Sequence, residues 1–331
     1  MVRSLTALFA VLCIAMLAEA QPALKPREVA TVPGQTTSLM VSPDGKLVAA
    51  NTVRIKPGGG GDGDEVVVWD LATGAVRVNT GKSDLGPLGF SANSKELIIG
   101  GRAPFDETHI QSWDVETGKA GETKTLLKEA AFPRLSVDTT TALTVTNSMM
   151  AGTHTVETWD LATGKSLESF KFEAGRTLFY SQAAKGPFQA VVETAPRAMG
   201  LLTRDSKTGK KTTVNLPGIV NAHISPDGKL VAGIGEGVIK LFDNAGKLKW
   251  TSTGNYQSHR LEGKYVVATD GNARVYLLDA TTGKVTRTID TGYERYPSTA
   301  LTKDGKSLVV SGPMGKKFDK FVVQVYTLAG K

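Results

Sequence analysis

The chain spells VWDLATG at 68–74, SWDVETG at 112–118, TWDLATG at 158–164 and LLDATTG at 277–283. Weaker copies stand between and after them: RDSKTG at 204–209, LFDNAG at 241–246 and VYTLAG at 325–330, which makes seven. Taking the Asp of each, with Thr327 in its place in the last copy, the successive steps are 44, 46, 45, 38, 36 and 48 residues. A different phrase precedes each copy, so that within every unit the WDLATG type is the second phrase and this one the first. It reads SPDGKLVA at 42–49 and 225–232 and TKDGKSLVV at 302–310, with looser forms SANSKELII (91–99), SVDTTTALT (136–144), QAAKGPFQAVV (182–192) and LEGKYVVA (261–268).

Both phrases are turn chemistry: Pro presets φ at the first central position, Asp or Asn accepts from nearby backbone, and Gly takes positive φ. The runs between them, such as LVAA, LIIG, EVVVW, VIKLF and RVYLL, are short and rich in β-branched and aromatic residues, as strands require. They are apolar at successive positions, which indicates burial of both sheet faces. A period of about 40–45 residues carrying four strands matches one blade of a β-propeller, whose radial closure hides most strand edges. The fold read from this is all-β, a seven-bladed β-propeller of four-stranded antiparallel blades. The blades fall at approximately 35–81, 82–122, 123–170, 171–216, 217–250, 251–290 and 291–331, a single unit over 21–331. VYTLAG leaves the last blade one strand short, and Glu28 to Val32 (EVATV) is expected to supply it and close the ring.

Ahead of the repeats, Arg3, the apolar run Leu5 to Leu17 and the small residues Ala18 and Ala20 have the form of a signal peptide over 1–20, cleaved between Ala20 and Gln21. The expected location is therefore secreted or periplasmic. Cys13, the single cysteine, leaves with that segment, which removes disulfides and thiolate chemistry from the mature chain. No later apolar stretch is long enough to span a bilayer. The formal net charge of +7 is spread along the chain without a basic block, which argues against a nucleic-acid groove and fits loose attraction to acidic envelope polymers.

With SPDGK, WDLATG and seven units in hand, the chain resembles the tryptophan-aspartate (WD) repeat propellers from Glu28 to Lys331, in a degenerate, secreted bacterial form. That resemblance implies a rigid platform whose loops bind proteins or peptides, with catalysis unusual. The Gly-His pair that opens each repeat in that family is missing, so its buried His, Ser/Thr, Asp, Trp network does not carry over throughout. A second stretch, DNAGKLKW at 243–250, is similar to the DxxTGKxxW repeat of pyrroloquinoline-quinone dehydrogenase propellers, but only this unit has the Trp.

Four histidines are available for chemistry: His109, His154, His223 and His259. His223 and His259 read as equivalent places on the innermost strands of consecutive blades, close enough to meet near the channel. The favoured role is packing with backbone bonds, not metal ligation. The segment KPGGGGDGDE at 56–65 has neither a Gly-Lys-Ser/Thr ending nor an EF-hand series, and reads as a glycine-rich connection between the second and third strands of the first blade. No Gly-x-Ser-x-Gly elbow or His-Glu-x-x-His helix is present. One face of the disc carries recurrent lysines after the first and third strands, balanced by the aspartates beside them.

The opposite face carries the long loops Arg54 to Glu65, Arg102 to His109, Asn147 to His154 and Gly312 to Lys320. It offers Arg54, Arg102, Phe105, His109, Arg197, Lys316, Lys317 and Phe318 as partner contacts. The expected function is an exported, non-catalytic binding or scaffold protein, monomeric and without a cofactor, presenting this face to a protein or acidic envelope polymer. The alternative is a propeller enzyme with a channel site, either quinone-dependent and dehydrogenase-like or metal-dependent and lactonase-like.

Overall fold

The computed structural model describes residues 24–328 apart from 33, 56–60, 103–106, 130, 132, 137, 149–151, 176, 183–185, 296 and 316–319. The expected signal peptide and its cleavage point lie outside the described residues.

Strand β1 (Arg27–Val32) comes first and joins the last sheet. Blade one is β2 (Gly34–Val41), β3 (Leu47–Ile55), β4 (Gly61–Asp70) and β5 (Val76–Lys82). Blade two is β6 (Gly86–Phe90), β7 (Glu96–Arg102), β8 (Thr108–Asp114) and β9 (Ala120–Leu127). Blade three is β10 (Arg134–Leu135), β11 (Thr141–Ser148), β12 (Thr153–Asp160) and β13 (Ser166–Glu173). Blade four is β14 (Thr177–Gln182), β15 (Phe188–Ala195), β16 (Ala198–Arg204) and β17 (Lys211–Leu216). Blade five is β18 (Asn221–Ile224), β19 (Leu230–Gly235), β20 (Val238–Asp243) and β21 (Leu248–Thr253). Blade six is β22 (Tyr256–Glu262), β23 (Tyr265–Asp270), β24 (Arg274–Asp279) and β25 (Val285–Asp290). Blade seven is β26 (Ser298–Leu301), β27 (Ser307–Met314), β28 (Lys320–Thr327) and, beyond β28, β1.

The all-β ring of seven four-stranded antiparallel blades is thus as the repeats indicate, and the N-terminal strand closes it. Glu28 pairs with Gln324 and Val32 with Phe321 across the β1–β28 ladder, with a bulge between Glu28 and Ala30. Arg27 then reaches out of blade seven to donate to the Leu71 and Ala72 carbonyls of blade one.

The middle strands of the blades carry apolar residues at successive positions because each blade has a neighbour on both sides. Val48 and Ala50 pack with Val309 and Val323 of blade seven, while Ala49 between them packs with Leu97 and Ile99 of blade two. Val66, Val67 and Val68 divide in the same alternating way, as the two-residue side-chain period of a strand dictates. Such a buried cluster lies at every blade junction. The motif tryptophans pack backwards, Trp69 onto blade seven and Trp159 onto Ile98 and Ile110 of blade two.

The two repeated phrases occur together for a structural reason. In the second, Asp70 Oδ1 accepts from the amides of Ala72 and Thr73, Asp114, Asp160, Asp205 and Asp279 build the same turn between third and fourth strands, and Asp243 builds one that is a residue shorter. Hydrogen bonds hold the carboxyls of Asp70, Asp114, Asp160, Asp205 and Asp279 below the usual range, Asp70 at about 2 with Arg77 as its largest cause. The residue after the Asp donates its amide to the carbonyl that closes the first phrase: Leu71 to Lys46 (2.7 Å), Asn244 to Lys229 (3.0 Å), Ala280 to Lys264 (2.9 Å). One turn therefore positions the other.

Where the first phrase lacks Gly, a hydroxyl residue stands in its left-handed place: Ser94 at φ 62° and Thr139 at φ 55°, against 72° for Gly45. Each returns a contact to the preceding blade, since Asp44 N donates to Ser94 Oγ (3.1 Å) and Ala92 N to Thr139 Oγ1 (3.1 Å). Ser94→Ala keeps the backbone strain and loses the acceptor, so it is expected to lower unfolding free energy by about 1 kcal/mol. Ser94→Gly loses the same bond but relieves a strain of about 1 kcal/mol, and should stay closer to the parent in denaturant titration.

Candidate functional site

The channel is walled by the innermost strands β2, β6, β10, β14, β18, β22 and β26. Four residues before the turn Asp or Asn of the first phrase, these strands carry Met40, Gly89, Arg134, His223 and Ala300. Ladder pairing places Ser181 and Arg260 at the same level. Ser181 pairs with Gln189 and Thr203, and Arg260 with Val267 and Leu277, each ending two residues before the motif Asp.

His259 is not at this level. His223 pairs with Ala232 and Leu241, whereas His259 pairs with Ala268 and Tyr276, one step further from the motif Asp. The equivalence read from the sequence is therefore off by one residue. The offset turns the two side chains to opposite faces of their sheets, and they do meet, ring centroids 5.1 Å apart and edge to face.

From this pair an arc runs along the wall through blades five, four and three. Phe179 stands edge-on to His223 at 4.9 Å, and the Arg134 guanidinium lies over Phe179 at 4.4 Å and over Tyr180 at 5.2 Å. Burial, with the Arg260 charge adding to it, lowers the Arg134 pKa. Blades three and six are separated by two blades along the rim, so these arginines sense each other across the axis. Arg134 is nevertheless open to solvent, as befits a side chain that faces a channel.

The other end of the arc is a clasp. Arg260 Nη1 donates to Leu39 O (3.2 Å) in blade one and Thr299 O (3.1 Å) in blade seven, while its Nε pairs with Glu262 at 3.3 Å. Glu262 also accepts from Leu301 N at 2.6 Å. Burial raises the Glu262 carboxyl pKa, with Arg260 acting against it.

His259 Nε2 lies 2.8 Å from Ala232 O, which can only accept, so Nε2 carries the proton and Nδ1 presents a lone pair. That buried Nδ1 has no hydrogen-bond partner. Burial first, then the nearby His259, Arg260 and Arg134, lowers the His223 pKa to about 3, and burial lowers that of His259 to about 4. Among the described residues, no group of three or more His, Cys, Asp or Glu is placed to hold a metal ion.

The face carrying the connections between second and third strands is uneven. Strands β3 and β4 have 9 and 10 residues, β11, β12, β27 and β28 have 8, and β19, β20, β23 and β24 have only 6. All start from the turn face, so the hairpins of blades three and seven reach about 7 Å, and that of blade one about 10 Å, beyond those of five and six; blade four, with β15 of 8 residues and β16 of 7, is also raised.

On this face Arg102 is exposed beside His109 at the end of the blade-two hairpin. His109 Nε2 lies 2.9 Å from Glu107 Oε2 and 3.3 Å from Thr125 Oγ1. Arg197 is exposed in the tight blade-four turn at φ 63°, two blades away. The backbone of Arg54 pairs with Gly34. Phe105, Lys316, Lys317, Phe318 and the 56–60 part of the glycine-rich connection lie outside the described residues. His154 is buried against Phe172 at 4.9 Å and packs blade three onto blade four. Trp250 donates to Ala280 O of the next blade at 2.9 Å, a wedge between blades.

Sequence reasoning found the histidine pair but passed over Arg134, Phe179, Tyr180, Arg260 and Glu262. The signal for Arg134 was present, since it precedes Asp138 by the same four residues that separate His223 from Asp227.

By its topology the chain is a seven-bladed β-propeller with a polar, cation-bearing channel wall. Comparison with known proteins finds no family model that matches it and no curated relative.

Both channel imidazoles are held neutral well below their ordinary pKa near 6.5. A base whose folded pKa is depressed stabilises the fold above its unfolded value and withdraws that stability as pH falls from 6.5 toward the folded values. Stability is expected to drop between pH 7 and 5, by up to about 2 kcal/mol through buried His259. Denaturant midpoints at the two pH values should draw closer in His259→Gln, which removes one of the two titrations.

Proposed function

We propose that the protein is an exported binding platform, monomeric and non-catalytic, which receives a protein or acidic envelope polymer on its uneven loop face. The observation that carries this reading is the difference in hairpin height. A rim raised by about 7 to 10 Å over blades seven, one, three and four and low over five and six forms a one-sided cradle on a rigid ring. Arg102 and His109 stand on the blade between the raised hairpins of one and three. Basic side chains on such a rim steer acidic partners, and the signal-like sequence of residues 1–20 supports an encounter in the periplasm or outside the cell.

A single observation favours a second reading, a channel enzyme of the metal-dependent or quinone-dependent kind: the His223–His259 contact with its unpartnered Nδ1. Native mass spectrometry separates the two, since a stoichiometric metal or quinone would establish the enzyme.

Capture of envelope components by the immobilised mature chain is expected to fall at least about tenfold when Arg102, Lys316 and Lys317 are replaced together by Ser, from the loss of three steering charges. Melting temperature should be unchanged. Equal capture by the triple variant would remove this face as the contact surface.

A further inference from the structure

Arg134, Arg204 and Arg260 differ in how their charge is met. Arg204 stacks on Phe170 at 4.2 Å and pairs with Glu168 at 2.6 Å. Arg260 stands against Glu262 and two carbonyls. Arg134 stacks in the same manner, on Phe179 and Tyr180, yet among the described residues no carboxylate pairs with it. Its charged neighbour across the axis is Arg260, and the neutral imidazole of His223 stands next along the arc. One side-chain hydrogen bond links Arg134 to Tyr180; the remaining N–H groups of the planar fork, which is open to solvent, are of the kind that grips an anion bidentately.

We propose that the channel wall around Arg134 is a binding site for an organic carboxylate, held by the guanidinium edge, with the Phe179 ring beneath it and His223 beside it. The site is reached by water, since Arg134 is open to solvent and His223 partly so. His223 has two distinct faces. One meets Phe179 and the other His259. A small organic carboxylate therefore finds a donor fork, an aromatic floor and a neutral imidazole at one place on the wall. The carboxylate comes either from a free small acid or from an acidic residue that a bound partner inserts along the axis. The proposal stands apart from the loop-face reading, because capture on the rim and anion binding in the channel are measured separately.

Sodium benzoate and sodium lactate are the free probes, and polyglutamate is the macromolecular one, each titrated into the mature chain at constant ionic strength with chloride as the control. Saturable shifts of the His223 and His259 ring resonances are expected, with a matching rise in melting temperature. Arg134→Gln should weaken binding by roughly ten- to a hundredfold, the loss of a charge-assisted bidentate contact, and Arg134→Lys should recover part of it. Response to the small acids alone identifies a free ligand, and displacement of lactate by polyglutamate identifies an inserted side chain. No saturable shift in the parent protein, an equal response to chloride, or unchanged affinity in a folded Arg134→Gln protein would overturn the site. Should Arg134→Gln not fold, Phe179→Leu, which removes only the aromatic floor, is expected to weaken benzoate more than lactate, and equal loss of both would count against the arrangement.

Discussion

Neighbouring residues of one strand in this protein must be satisfied by different blades. Val67 belongs to the junction with blade seven, and Val66 and Val68 to the junction with blade two. A sheet with two apolar faces needs two partners, and in a row of such sheets the outermost ones would each lack one. Bending the row into a ring removes the end sheets. The remaining free edge, that of β28, is covered by β1, so the ladder and the side-chain packing close at the same junction.

This constraint divides the sequence into positions that repeat and positions that do not. The turn aspartates recur because each one builds the same local structure, and the bond from the residue after them to the first phrase makes the two turns one unit. The channel level carries Met40, Gly89, Arg134, Ser181, His223, Arg260 and Ala300, and no side-chain chemistry is shared by more than two of them. Packing does not dictate these residues, so they are where a specific role can be written without disturbing the ring.

The division also explains what was legible in advance. Blade number, strand direction and the closing pairing of Glu28 to Val32 were readable, since they follow from period and turn chemistry that act within a few residues. The meeting of His223 and His259 was readable in outline, but the blade-six turn is tighter, with Glu262 paired to Tyr265 where blade five turns between Ile224 and Val231, and this sets His259 one place further from the motif Asp. Arg134 escaped notice because its meaning depends on what it lacks. Only when Phe179, Tyr180 and Arg260 are brought around it does an arginine without a carboxylate become informative. The uneven rim was half-visible in loop lengths, while the extra strand residues that raise it look like ordinary strand.

The closing pair has one more property. Arg27, at the start of β1, lies opposite Val325, near the finish of β28, so the two ends of the closing ladder emerge side by side. Tension applied through both ends peels the two strands apart one hydrogen-bonded pair at a time, whereas force directed across the disc loads the whole ladder in parallel. A ring that resists heat through its seven greasy seams is thus mechanically soft along a single direction, the one in which its own ends point.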